Sequence, residues 1–147
     1  MTHPSTRLEG DLAKVLYAGA GSPKSVGMVL VVEDDLMQRV SAILAVEDAG
    51  YSTVIASNAG EALEVLAEHP EIDVLFTDVE MPGLMNGFEL AAEMRRRLPN
   101  LGIVIASGGS EPDPGDLPVD ALFVSKPYEM QLLTLALTEL VANARHH

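Results

Sequence analysis

An α/β fold, a doubly wound five-stranded parallel sheet with helices on both faces, is predicted by three observations. From Gly27 onward, short runs rich in β-branched residues alternate with longer segments of helical period. The runs are apolar along their length instead of alternating, as in strands buried on both faces. The first and third runs stop abruptly at acids, Glu33-Asp34-Asp35 and Asp78. Right-handed β-α-β crossovers then leave helices on both sides of one parallel sheet.

The elements follow in order. Met28 to Val32 is the first strand. Leu36, Val40, Ile43, Leu44 and Val46 or Glu47 come next at helical spacing, and Gly50 is a natural stop. Asp35, just before this helix, reads as a turn or N-cap residue in preference to a metal ligand. Tyr51 to Ala56 is the second strand. Asn58 with Glu61 three residues later makes an N-cap signature, and Ala62, Leu63, Leu66 and Ala67 carry a buried stripe until Pro70. Asp73 to Thr77 is the third strand. The turn-rich Met81 to Gly87 leads into a helix with Phe88, Leu90, Ala91 and Met94, and Arg95, Arg96 and Arg97 suit its C-terminal dipole. Gly102 to Ala106 and Ala121 to Val124 are the fourth and fifth strands. Tyr128 to Ala144 is the last helix, with Leu132, Leu133, Leu135, Ala136, Leu140 and Val141 as its apolar positions. The fourth crossover differs: Gly108, Gly109, Pro112, Pro114 and Gly115 oppose a regular helix, so a loop or one short turn is expected there.

A chain of 147 residues with 48% apolar content suits one domain with one full core. The domain is placed at residues 26–145, behind an N-terminal extension over 1–25. In the extension Leu8, Leu12, Val15 and Leu16 recur at helical spacing and Ala18 to Ser25 reads as a linker. The apolar stripe is expected to pack on the domain, or on a second copy to form a homodimer. Nine Lys and Arg against 22 Asp and Glu give a net charge of −13. Arg7, Lys14 and Lys24 against Glu9 and Asp11 leave the extension at +1 and the remainder at −14. That acidity argues against nucleic acid as a direct partner, since phosphate contacts need clustered cations. The absence of Cys excludes disulfides and thiolate metal sites and agrees with a reducing, cytoplasmic setting. No apolar run approaches the ~20 residues that span a bilayer, so no membrane role is expected.

Ligands of an open α/β sheet bind outside the carboxyl ends of its strands. Those ends gather Glu33, Asp34 and Asp35, then Asp78, Ser107 and Lys126. Packed acids repel unless a cation or proton compensates, and an all-oxygen set suits a hard ion such as Mg²⁺. Lys126 and Ser107 are placed to contact the oxygens of an anion such as phosphoryl.

The runs VLVVEDD, FTDVEMPG, IVIASG and FVSKP, with LMNGFELA after the MPG turn, resemble the response-regulator receiver domain of two-component signalling. The resemblance covers about residues 27–143 and implies the flavodoxin-like form of the fold. It implies that Asp78 accepts a phosphoryl group, and that Glu33, Asp34, Asp78 and the main-chain carbonyl of Glu80 hold Mg²⁺. It further implies that Lys126, before a cis peptide to Pro127, pairs with phosphoryl oxygens. Ser107 matches the hydroxyl that turns toward the phosphoryl, and Phe123 the aromatic that changes rotamer with it. The donor would be a sensor histidine kinase or a histidine phosphotransfer protein, and signalling would run through a downstream protein not named by the sequence. With only a few residues after the last helix, the resemblance is to the stand-alone type, a phosphoacceptor and not an enzyme acting on external substrates. Two alternatives stand beside it: a vestigial receiver acting as a binding adaptor, and an Asp-nucleophile phosphohydrolase. The second is disfavoured by Glu80 at the position where such enzymes place an Asp general acid.

Overall fold

A computed structural model describes residues 27–145 apart from 110 and 114. The expected amphipathic stretch and linker of residues 1–25 lie outside the described residues. Strands β1 (Met28–Val32), β2 (Ser52–Ala56), β3 (Val74–Asp78), β4 (Gly102–Ser107) and β5 (Leu122–Ser125) form one sheet in the order β2-β1-β3-β4-β5. All four pairings are parallel. The intervening helices are α1 (Leu36–Asp48), α2 (Ala59–Glu68), α3 (Gly87–Arg97) and α4 (Met130–Arg145). After β1 the chain winds outward to β2, then returns across β1 to β3, so the switch point lies between β1 and β3.

Alternation along each strand divides the core into two layers. Val29, Val31, Phe76 and Val104 meet Ala42, Ile43 and Val46 of α1 and Leu133 and Leu137 of α4. Leu30, Leu75, Ile103 and Ile105 meet Ala62 and Leu66 of α2 and Leu90 and Met94 of α3. Three of the four helices start at side-chain caps, the first two where the sequence predicts. Asp35 accepts from the Gln38 amide at 2.9 Å, the N-cap role expected of it. Asn86 and Glu89 close a reciprocal capping box on α3. At α2 the Asn58 side chain accepts from the Glu61 amide, while the Glu61 carboxylate reaches past it to the Ser57 amide at 2.8 Å. Gly50 ends α1 with φ 98°, a conformation that favours glycine.

Three expected faces are corrected. In α1 the buried positions are Ala42, Ile43, Ala45 and Val46, and Leu36 is 61% exposed. Small alanines let the helix approach the sheet, while its first turn stands clear of it. In α2 Ala67 is exposed and Ala59 is buried instead. In α4 the core stripe is Leu133, Leu137 and Leu140 at i, i+4 and i+7, which turns Leu132 and Leu135 toward solvent. That helix also begins at Met130, because Pro127 and Tyr128 belong to its entry, where the Lys126–Pro127 peptide is cis as expected.

Among the described residues, the crossover from β4 to β5 holds no helix, as its Gly and Pro content predicts. Arg95 from the last turn of α3 anchors it, its guanidinium donating to the carbonyls of Leu101 (3.1 Å) and Val119. Within the loop the Asp113 amide donates to Asp116 at 2.7 Å.

Gly87 fixes how α3 meets the end of β3. Its amide donates to the Val79 carbonyl at 2.9 Å, and a Cβ at this position would lie 2.1 Å from the Asp78 carbonyl oxygen. Backbone on both sides leaves no flexible group to move aside. Gly87→Ala is therefore expected to lower stability by about 1–3 kcal/mol, the usual cost of forced overpacking, measured by urea unfolding. An unchanged midpoint and slope would contradict this contact.

Candidate functional site

The register of the sheet sets the site. Thr77 pairs with Val32 and Asp78 with Ala106, so Glu33 follows β1 beside the end of β3, and Ser107 ends β4 next to Asp78. Lys126 follows β5, and its amide donates to the Ser107 carbonyl at 2.9 Å, holding the β5 end against β4. From there its side chain crosses in front of β4 to the acids.

The Lys126 ammonium lies 3.0 Å from Asp78 Oδ1 and 3.0 Å from Glu33 Oε1, and it donates to Gln38 Oε1 of α1 at 2.5 Å. An ammonium has three protons, and these three acceptors match them. The second Glu33 oxygen accepts from the Asp35 amide at 3.1 Å. Glu33 and Asp78 are only 5% and 7% exposed, whereas Asp34 is open to solvent. Burial raises the Asp78 pKa to about 6; the hydrogen bond from Lys126 opposes this, and the nearby charges of Glu33 and Glu80 add to it. Burial works against the Lys126 charge, yet the hydrogen bonds to Asp78 and Glu33 outweigh it and push its pKa up. Tyr128, beside the site, has its hydroxyl pKa raised mainly by burial.

Glu33, Asp34 and Asp78 each place one carboxylate oxygen within 4.8 Å of the others. All are hard oxygen donors, and the solvent-facing Asp34 leaves room for the waters that Mg²⁺ retains, so the set fits that ion. Ser107 and Glu80 make a second arrangement nearby: the buried hydroxyl donates to Glu80 Oε1 at 2.8 Å and accepts from the Gly109 amide at 3.3 Å. Phe123 is half-buried and packs into the layer under α2 and α3, opposite Ile105. The residues predicted from the strand ends thus divide into Glu33, Asp34, Asp78 and Lys126 together, Ser107 with Glu80, and Phe123 in the core.

Gln38 was not anticipated. Its sole signal is a polar residue three positions after the N-cap, and the partner is 88 residues away. A cavity of about 650 Å³ also opens here, lined among others by Met37, Gln38, Asp78, Lys126 and Tyr128. The Tyr128 ring meets Phe76 edge-on, with centroids 5.8 Å apart.

The five-stranded parallel sheet that carries these groups is shared with known structures. Residues 29–138 match the response regulator receiver domain. The chain is 34% identical over 120 residues to the response regulator receiver protein CpdR of Brucella abortus (strain 2308), covering 79% of this chain and 98% of CpdR. It is 33% identical over 117 residues to the sensor kinase CckA of the same organism, covering 77% of this chain but 12% of CckA. Among solved structures, a response regulator receiver domain protein from Clostridium thermocellum superposes with a TM-score of 0.74 at 25% identity, covering 81% of this chain and 97% of that one. The receiver domain of a hybrid histidine kinase CckA does so with a TM-score of 0.67 at 28% identity, covering 78% and 99%. The chain belongs to the response regulator receiver domain family.

The raised Asp78 pKa has a consequence for stability. The folded protein holds this proton up to about pH 6, against 3.8 for the ordinary carboxyl. The proton's contribution is therefore fully present below 3.8 and is lost as the pH rises through 6. Asp78→Asn, which stays neutral throughout, should make metal-free protein more stable near pH 7.5 by on the order of 2 kcal/mol, and progressively less so toward about pH 4. Urea unfolding across this range checks it; a difference that does not vary with pH would contradict the burial of the charge.

Proposed function

We propose that this chain accepts a phosphoryl group on Asp78 from a phosphohistidine and passes the signal on by binding another protein. The observation that carries the reading is the Lys126 ammonium held between Asp78 and Glu33, with Asp34 beside them. The donor would be a sensor histidine kinase or a histidine phosphotransfer protein, a reading supported by the similarity to CpdR and to the CckA receiver.

With its pKa near 6, Asp78 is mostly ionised at neutral pH and can act as the nucleophile. Its free carboxylate oxygen attacks phosphorus in line as the phosphorus–nitrogen bond breaks, which leaves an acyl phosphate on Asp78 and the histidine nitrogen to take a proton. Mg²⁺, held by Glu33, Asp34, Asp78 and the Glu80 carbonyl, would supply neutralisation of the transferring oxygens. Lys126 contributes a preorganised cation whose direction is set by Glu33 and Gln38, so little reorganisation is needed when charge arrives. After transfer, the Ser107 hydroxyl turns to the phosphoryl and Phe123 follows it, converting a local charge change into a surface change. This is phosphoacceptor chemistry in a signalling domain, with cytoplasmic proteins as partners in place of nucleic acid.

Labelled acetyl phosphate with Mg²⁺ should label the wild-type chain and leave Asp78→Asn unlabelled. Lys126→Ala should slow labelling by roughly a hundredfold, the scale of losing one preorganised charge-stabilising donor. Wild-type protein that takes no label, or labelled Asp78→Asn, overturns the proposal.

Metal binding is separable from transfer. Because the ion would bind only the folded state, Mg²⁺ should raise the melting temperature, by about 2–4 °C for each kcal/mol of linkage. Asp34→Asn should abolish that rise, and equal shifts in the two proteins would remove Asp34 from the ligand set.

A further inference from the structure

The Ser107 hydroxyl is 2% exposed and donates to the exposed Glu80 carboxylate at 2.8 Å. A carboxylate can only accept, so the single hydroxyl proton is committed to Glu80 in this state. A phosphoryl group on Asp78 also offers only acceptors. Ser107 therefore cannot donate to both, and the two bonds are alternatives.

Charge ties the alternatives together. Glu80 is two residues beyond Asp78, and its negative charge already acts on the Asp78 carboxyl. Phosphorylation replaces the single charge of that carboxylate with a phosphoryl group carrying about −1.5 to −2, so the local negative charge grows by roughly one half to one. The added charge repels Glu80 at the same time as it supplies a competing acceptor for Ser107. Since Glu80 is at the surface, its side chain can swing into water at little cost, which Ser107 cannot do.

Resting on the function proposed above, we infer that Glu80 is a charge-sensitive latch on Ser107: it holds the hydroxyl in the resting protein and is expelled when phosphoryl arrives. Glu80 is a positioning residue, acting through Ser107. Its removal biases the chain toward the activated arrangement before any phosphorylation.

The test uses the full chain with beryllofluoride and Mg²⁺ as a stable phosphoryl mimic, in a double-mutant cycle. Removing a negative charge strengthens anion binding directly, so the comparison between backgrounds carries the result. Glu80→Ala should strengthen beryllofluoride binding about tenfold more with Ser107 present than in Ser107→Ala, the weight of one charge-assisted hydrogen bond. Glu80→Gln, which keeps an acceptor and loses the charge, should fall between. Equal strengthening in both backgrounds overturns the latch and leaves Glu80 acting by charge alone.

A second readout does not need the mimic. The Gly109 amide donates to the Ser107 oxygen, so its NMR shift reports where the hydroxyl sits. In unliganded protein that shift should move in Glu80→Ala and move less in Glu80→Gln; an unmoved Gly109 amide in Glu80→Ala overturns the latch. If wild-type protein binds neither acetyl phosphate nor beryllofluoride, the phosphoacceptor reading fails while the Gly109 readout still decides the resting contact.

Discussion

The Lys126 ammonium is what allows two buried carboxylates to share one end of the sheet. Glu33 and Asp78 would otherwise repel across a poorly solvated gap, and one would have to keep its proton. A single cation 3.0 Å from each permits both to be charged, while Asp78 stays harder to ionise than an ordinary carboxyl. The same group binds Gln38 of α1, so it links β5 to three places that β5 does not reach through the backbone ladder: the ends of β1 and β3, and the first turn of α1. Its own strand, β5, pairs only with β4. The electrostatics of the site and the closure of this edge are therefore one interaction.

Chain geometry delivers the groups to that cation with small margins. The parallel register sets Asp78 beside Glu33, and Ala106 of β4 lines the same cavity as Asp78 and Lys126. Gly87 brings the start of α3 onto the Asp78 backbone, closer than any side chain would permit. Behind the acids, the two core layers make β3 and β4 rigid, since both are buried along their whole length. Precision at the site derives from packing below it, to which the Lys126 contacts add the closure of the β5 edge.

Much of this was legible in the sequence because local rules decided it. Strand positions were visible to within one or two residues, since apolar runs between helical periods have few alternatives. The acids at strand ends, Lys126 before Pro127, and the caps at Asp35 and Asn58 all sit where short-range chemistry predicts. The helix faces were less legible. Leu132 and Leu135 look as apolar as Leu133 and Leu137, and only the phase imposed by the sheet separates them. In α1, alanines displaced leucine from the core because close approach was worth more than side-chain bulk. Contacts such as Gln38 with Lys126, or Ser107 with Glu80, depend on strand order and register, which no local pattern encodes.

The crossover before β5, helix-free among the described residues, bears on how stability is distributed. β5 is half-buried with an exposed end, while β3 and β4 are buried throughout, so the sheet carries a gradient of local opening free energy from its centre to this edge. Asp78 lies at the high end of that gradient and Lys126 at the low end. Their ion pair spans a rigid unit and a looser one. A charge change at Asp78 is thus felt through Lys126 at the less buried β5 edge, next to the crossover that Arg95 anchors.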